Sequence, residues 1–165
     1  MINIICSDRG IGKSYGAKKK MLKNEFIYLR RYKEEVKMVK NKLFNDIDNE
    51  FKLQGSTYYK DGKEWGYIYA LSQAQSLKSA AFPHVKIIVF DEFIIEDKVH
   101  HYLKDEIDLF ISILSTVNRN RSGKDKVKIY MLCNPVTKYN PYFSYYGITP
   151  ALADKDIYYN KDKQG

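Results

Sequence analysis

Near the start of the chain, eight residues combine glycines, a lysine and a hydroxyl in a spacing typical of phosphate-binding loops. They are Ser7, Asp8, Arg9, Gly10, Ile11, Gly12, Lys13 and Ser14. In such loops the backbone N–H groups hold phosphate oxygens, the lysine contacts the β- and γ-phosphates, and the last hydroxyl binds Mg²⁺. Ser7 stands where the full pattern has its first glycine, so the match is a variant. The alternative interpretation is a glycine turn beside a solvated lysine.

Two adjacent acids, Asp91 and Glu92, follow four consecutive apolar residues at 87–90. An apolar run of this length predicts a strand buried on both faces, and parallel sheets place their ligands at the carboxyl ends of such strands. There Asp91 would hold the Mg²⁺ shell through water, and Glu92 would polarise the attacking water. Without the phosphate-binding loop, the same pattern is simply a strand that ends in two acids.

A third polar group, Asn134, follows another apolar run and precedes Pro135. At the end of the strand after the acidic pair, an amide suits a residue that senses a γ-phosphate or orients water. The alternative is that Asn134 only starts a turn before the proline.

The elements that position these groups follow from hydrophobic periodicity. Strands are predicted near 2–6, 25–31, 86–91 and 127–133, and helices over 13–24, 33–48, 72–81 and 99–117. The dipeptide Asp61-Gly62 between two aromatic-rich segments predicts a two-residue β-hairpin. We expect this hairpin to extend the sheet, with stacking on bases as the alternative. After Pro141 four aromatic residues give way to a polar run from Asp154 to Gly165, and 151–165 is predicted to be a tail or linker.

The composition favours one ordered domain with an anionic partner. The chain has 165 residues, 44% of them hydrophobic, and a formal net charge of +8. A net positive charge favours contact with a polyanion, nucleic acid first, although it also serves solubility alone. No apolar run approaches the roughly 18 residues of a membrane span, and the start lacks a signal-peptide pattern, so we expect a cytosolic protein without membrane association. Cys6 and Cys133 both fall in predicted buried strands and are expected to be reduced core residues.

Taken together, these motifs resemble the DNA-packaging motor ATPases of tailed bacteriophages, especially the podophage encapsidation proteins related to large terminase subunits. The likeness rests on Ser7 and Arg9 within the loop, on the loop's position almost at the N-terminus, on the Val-Phe-Asp91-Glu92-Phe segment as a Walker B motif, and on Leu-Cys-Asn134-Pro. It covers most of residues 1–150, which we predict to be a P-loop ATPase domain. The implied fold is a three-layer α/β P-loop NTPase of the ASCE type, with a mainly parallel sheet, flanking helices and the hairpin as an insertion.

The resemblance also implies cofactors, partners and further site residues. The expected cofactors are ATP and Mg²⁺, and the expected partners are double-stranded DNA, portal or procapsid components, and further copies of the chain in a ring, commonly a pentamer, in the host cytoplasm. Arg119 is the first choice for an arginine acting in trans on the neighbour's nucleotide, Arg121 is the second, and Lys78 is a further candidate. The catalytic set is Glu92, Arg119, Arg121, Lys13 and Arg9. The nucleotide-binding set is the loop from Ser7 to Ser14 with Tyr15, Asn134 and Lys78, and the Mg²⁺ set is Ser14 and Asp91.

Three other functions share parts of this pattern. A helicase-like ATPase has the same loop and acidic pair and is stimulated by single strands. A nucleotide or nucleoside kinase needs a small acceptor and an arginine-rich lid. A binding module holds the nucleotide without hydrolysing it.

Overall fold

The computed structural model describes residues 1–96, 99–137 and 139–148. Its strands are β1 (Ile2–Cys6), β2 (Phe26–Arg30), β3 (Lys52–Gln54), β4 (Thr57–Lys60), β5 (Lys63–Ala70), β6 (Ile87–Asp91) and β7 (Lys128–Cys133). Its α-helices are α1 (Lys13–Lys23), α2 (Lys33–Val39), α3 (Ala74–Leu77), α4 (Glu106–Val117) and α5 (Pro141–Tyr146). The predicted tail at 151–165 lies outside the described residues. In the part that is described, no helix has the length and apolar character needed to cross a bilayer.

All seven strands form one sheet in the order β1-β7-β6-β2-β5-β4-β3. The first five strands in this order are parallel to their neighbours, and β4 and β3 add an antiparallel extension. Two buried clusters cover the two faces: one contains residues of α1 and the segment after α2, and the other contains residues of α3, α4 and α5. The result is a three-layer α/β domain with a mainly parallel sheet, which confirms this part of the predicted fold.

The strand that precedes the phosphate-binding loop is not buried as predicted. β1 lies at one edge of the sheet, and it pairs only with β7 among the described strands. Ile2 and Ile4 are partly buried, while Ile5 and Cys6 are exposed. An apolar run predicts two covered faces only when the strand is interior, and sequence alone does not distinguish an edge strand with this composition. Cys133, on the neighbouring strand, is buried as expected.

Three predicted helices are shorter in the structure. Of the helix predicted over 72–81, only Ala74–Leu77 is α-helical. The helix predicted over 33–48 ends at Val39, and the following turns still bury Leu43 and Phe44. Asn49 donates to the carbonyls of Phe44 and Ile47, so a side chain satisfies groups that a continued helix would have paired. The helix predicted over 99–117 begins only at Glu106, because Asp105 adopts a left-handed conformation (φ 55°) that a helix cannot contain.

The predicted hairpin extends the sheet. Asp61 and Gly62 both have positive φ (51° and 75°), as a two-residue turn of type I′ requires. Tyr58 is buried on the inner face, and the Trp65 Nε1–H donates to the carbonyl of Met21 in α1 at 2.9 Å. These two rings therefore serve the fold rather than stacking on bases.

Candidate nucleotide-binding site

The loop between β1 and α1 has the backbone geometry of a phosphate-binding nest. Gly10 and Gly12 both adopt the left-handed conformation, with φ of 84° and 86°, which residues with a Cβ adopt only at a cost. Gly12 is also the N-cap of α1, and no side chain caps that helix. The positive end of α1 and its first N–H groups therefore face the loop, where an anion would be stabilised.

Lys13 joins this loop to the end of the neighbouring strand. Its Nζ donates to the carbonyls of Ser7 at 2.5 Å and Asp8 at 2.8 Å, and to Asn134 Oδ1 at 2.8 Å. Asn134 follows β7, which pairs with β1 in register from Ile2 to Cys6. Two residues 121 positions apart in sequence thus meet, because the loop after β1 and the end of β7 lie at the carboxyl ends of neighbouring parallel strands.

Asp91, at the carboxyl end of β6, faces the N-terminus of α1. Its Oδ2 lies 3.5 Å from Ser14 Oγ and accepts a 2.7 Å hydrogen bond from the Tyr28 hydroxyl. Burial raises the pKa of Asp91, and the nearby Glu92 acts in the same direction, while the Tyr28 hydrogen bond and the Arg30 charge oppose the shift. The predicted Mg²⁺ pair, Ser14 and Asp91, is therefore brought together.

Glu92 leaves the sheet in a left-handed conformation (φ 54°), so its side chain departs from the strand's alternation. Arg30, at the end of β2, donates to Glu92 Oε2 at 2.5 Å and lies 3.8 Å from Asp91 Oδ2. The Arg30 side chain is 9% exposed, whereas that of Glu92 is 54% exposed. A buried guanidinium therefore anchors a carboxylate that still reaches solvent.

Glu96 closes the rim of the site. It pairs with Arg9 through one carboxylate oxygen and accepts from Asn134 Nδ2 through the other. Arg9 is highly exposed, so its guanidinium stands at the mouth rather than within the loop.

These groups surround a cavity of about 500 Å³. It is lined by Arg9, Gly10, Gly12, Lys13, Ser14, Asp91, Glu92, Cys133 and Asn134. The donor set fits a nucleotide with Mg²⁺: cationic side chains and a nest for phosphate, with a hydroxyl and a carboxylate oxygen for a hard cation that keeps few protein ligands. Within the described residues no group of three or more His, Cys, Asp or Glu side chains is arranged to hold a metal alone.

Sequence reasoning missed Tyr28, Arg30 and Glu96. A signal for Arg30 was present, since a charged residue ends the otherwise apolar strand Phe26–Arg30, but using it requires knowing that β2 lies beside β6.

The remaining predicted residues do not line this cavity. Tyr15 and Ile11 are exposed beside the loop, and Lys19 stacks on the Tyr15 ring at 4.8 Å. Arg119 follows α4 and donates to the carbonyl of Lys78 at 2.8 Å. Arg121 donates to three carbonyls of the segment before β6: those of Phe82, Pro83 and Val85. Because β6, β7 and β1 are parallel, this segment lies at the amino-terminal ends of the strands, whereas the phosphate loop lies at their carboxyl ends.

A family model described as podovirus DNA encapsidation protein (Gp16) matches residues 1–163. The chain belongs to this family. Among curated relatives of this Gp16-family chain, a DNA packaging protein of Bacillus phage B103 is 41% identical over 163 residues, which cover 92% of the chain and 50% of that protein. The chain spans about half the length of the curated relatives it matches.

Solved structures match this Gp16-family chain closely. The N-terminal domain of the DNA packaging ATPase from bacteriophage phi29 superposes with a TM-score of 0.84 and 37% identity, over 97% of this chain and 86% of that one. A chain of the phi29 viral genome packaging motor assembly superposes with a TM-score of 0.80 and 38% identity, over 96% of this chain and 51% of that one. The Gp16-family domain described here therefore has the fold of a packaging-ATPase N-terminal domain.

Proposed function

We propose that this chain is the ATP-hydrolysing domain of a motor that drives double-stranded DNA into a viral procapsid. The observation that carries the proposal is the single cavity in which the phosphate-loop residues Lys13 and Ser14 meet Asp91, Glu92 and Asn134. The chain's relatives are named DNA packaging proteins, and for this reason we propose DNA packaging rather than another ATP-driven process.

The strand order supports assignment to the ASCE division of P-loop NTPases. β7 lies between β1, which carries the phosphate loop, and β6, which carries the two acids. Two features are expected of that division. One is an extra strand between the two motifs, and the other is a glutamate directly after the Walker B aspartate. In this interpretation Asn134, which follows the extra strand, would sense the γ-phosphate.

Binding of the triphosphate would use the loop, Lys13 and the metal pair. The N–H groups around Gly10 and Gly12 would hold phosphate oxygens, and Lys13 would exchange loop carbonyls for the β- and γ-phosphates. Ser14 and Asp91 would hold Mg²⁺, which when bound neutralises charge on the phosphates. Arg9, at the exposed mouth, would add charge neutralisation from the rim.

Hydrolysis would depend on Glu92 as the group that orients the attacking water. Its carboxylate is half exposed and is anchored on one side by the buried Arg30. Arg30 thus restricts where the carboxylate points and leaves one face of it accessible to a water in the cavity.

A neighbouring copy would complete the site. Arg119 and Lys78 are exposed and adjoin each other. They lie at the amino-terminal ends of the parallel strands, on the opposite side of the domain from their own phosphate loop, so they can serve only a neighbour's nucleotide. Among the described residues, the Arg119 guanidinium makes one hydrogen bond, whereas Arg121 is fixed by three backbone carbonyls. We therefore favour Arg119 as the arginine acting in trans within a ring, pentameric by analogy with the family, docked on the portal of a procapsid in the host cytoplasm.

DNA phosphates would contact lysines outside the site, and the candidates are the lysines of residues 18–42. Of the lysines between 18 and 42, Lys18 pairs with Asp46 and Lys40 donates to a backbone carbonyl, so they are engaged in the fold. Lys23, Lys33, Lys37 and Lys42 are exposed. Contacts from such lysines to phosphates would make DNA binding strongly dependent on salt.

The test compares Glu92→Gln with the unmodified chain for ATP binding and ATP hydrolysis, with and without double-stranded DNA. We expect binding to persist and turnover to be lost. Mixing Glu92→Gln with Arg119→Ala subunits should restore part of the turnover, because some interfaces then combine an intact glutamate with an intact arginine. Arg121→Ala is the matched control, and mixing Arg121→Ala with Glu92→Gln subunits should not restore turnover.

Other results would favour other functions. Turnover that requires a small acceptor and ignores DNA would identify a kinase, and stimulation by single strands alone would identify a helicase-like enzyme. Unchanged turnover in Glu92→Gln would refute the assigned role of Glu92.

A further inference from the structure

Tyr28 is a buried tyrosine whose hydroxyl donates to the carboxylate of Asp91 and also interacts with the guanidinium of Arg30. The residue lies in the middle of β2, in register with Val89 of β6, and its ring belongs to the core on the α1 side. Since side chains alternate along a strand, Val89 and Asp91 share the face that Tyr28 occupies. The hydroxyl therefore reaches Asp91 Oδ2 diagonally across two strands, at 2.7 Å.

Asp91 has competing partners on the same oxygen. Ser14 Oγ is 3.5 Å from Oδ2, at the limit of a hydrogen bond, and Arg30 Nη1 is 3.8 Å away. The other oxygen, Oδ1, accepts from the backbone N–H of Glu92 at 3.1 Å. The Tyr28 contact is the shortest of the four, and it holds Oδ2 on the side of the sheet that faces Ser14.

We propose that Tyr28 is a positioning residue for Mg²⁺-dependent nucleotide binding, acting only through Asp91. Without its hydroxyl, the Asp91 carboxylate rotates toward the guanidinium of Arg30, which is buried and has an Nε without a hydrogen-bond partner among the described residues. The oxygen that should face Ser14 is then turned away from the cation site. Residues that orient metal-binding carboxylates contribute about 10- to 100-fold to metal affinity, and we expect the lower end here.

This inference rests on the proposed function, and Tyr58 provides a matched control. Tyr58 is also buried on the α1 side of the sheet, and its hydroxyl donates to a backbone carbonyl, that of Lys40, at 2.6 Å. Replacing either tyrosine by phenylalanine removes one buried hydroxyl and the hydrogen bond that it donates. Only Tyr28→Phe removes a contact to Asp91.

The experiment titrates Mg²⁺ into the 165-residue chain with a fluorescent ATP analogue and records the Mg²⁺ concentration at half-maximal binding. We expect Tyr28→Phe to need about 10-fold more Mg²⁺, with unchanged nucleotide affinity in EDTA. Tyr58→Phe should match the unmodified chain, and Tyr28→Phe should have no further effect when Asp91→Asn is already present.

Three results would overturn the inference. They are equal Mg²⁺ requirements for the two phenylalanine variants, an added loss from Tyr28→Phe in the Asp91→Asn background, and failure of Tyr28→Phe alone to fold, which would assign Tyr28 a purely structural role. If the unmodified chain itself binds no nucleotide, or binds it equally with and without Mg²⁺, it is the proposed function that fails.

Discussion

The buried ion pair between Arg31 and Glu106 gives the sharpest prediction about stability. Arg31 Nε lies 2.8 Å from Glu106 Oε2 and Nη2 lies 3.0 Å from Oε1, with both side chains no more than 3% exposed. The same guanidinium donates to the carbonyls of Glu92 and Phe93, and Glu106 also accepts from the Tyr142 hydroxyl at 2.6 Å. The pair thus ties the end of β2, the start of α4, α5 and the segment that carries Glu92.

Replacing Arg31 by methionine removes every hydrogen bond that the guanidinium donates and leaves the Glu106 carboxylate buried. Breaking a buried pair from one side costs about 3–5 kcal/mol, a large share of the roughly 5–15 kcal/mol that stabilises a domain. We expect this loss in urea unfolding followed by circular dichroism. The double variant Arg31→Met with Glu106→Leu should lose less than the sum of the single variants, because neither charge is then left buried alone.

The exposed pair Lys18–Asp46 is the control for this experiment. Its N–O distance is 2.6 Å, but the Asp46 side chain is 54% exposed. Asp46→Asn should cost less than about 1 kcal/mol. If Arg31→Met costs no more than Asp46→Asn, the reasoning from burial is refuted.

Two further predictions concern packing and thiol reactivity. A Cβ added at Gly66 would lie 2.2 Å from the buried ring of Phe26, so Gly66→Ala should destabilise the fold by about 1–3 kcal/mol. Among the described residues, a Cβ added at Gly16 meets no atom within 4 Å outside its own helix, so Gly16→Ala should be neutral or stabilise the fold by up to about 1 kcal/mol. Urea unfolding distinguishes the two variants, and equal effects would contradict the predicted clash. The neighbouring Cys133 thiol, as a hydrogen-bond donor, and the positive charge of Lys13 lower the pKa of Cys6 to about 7. The hydrogen bond to Cys6 and then burial raise the pKa of Cys133. Because the thiolate is the reactive form, alkylation of Cys6 by iodoacetamide should rise as the pH increases through about 7 and then level off, with Cys133 protected in the folded chain. Mass spectrometry of the two cysteine peptides measures this, and a midpoint above pH 8 would contradict it.

The core of the site was predictable because its motifs are local. A loop with Gly10, Gly12, Lys13 and Ser14 carries its own backbone geometry, and an apolar run places Asp91 at a strand end wherever that strand lies in the sheet. The contact between Lys13 and Asn134 was not predicted, although it agrees with the same rule, since both residues lie at the carboxyl ends of parallel strands.

What escaped prediction depends on strand order and on single backbone conformations. Tyr28 and Arg30 reach the acidic pair only because β2 lies beside β6, and no local pattern encodes that adjacency. The start of α4 was placed seven residues early, at 99 instead of Glu106, because the left-handed Asp105 interrupts a periodicity that continues through it. The trans role of Arg119, the ring and the DNA contacts stay predictions.

The edge position of β1 has a consequence for how firmly the phosphate loop is held. Amide protons of β1 that point away from β7 lack a sheet partner among the described residues, so they should exchange with solvent faster than those of the interior strand β6. Asp91 and Glu92 are thus attached to an interior strand of the sheet, while the phosphate loop is attached to its margin. Any polypeptide that adds a strand along this margin would stiffen the loop directly, and so change how the loop holds the triphosphate that we propose it binds.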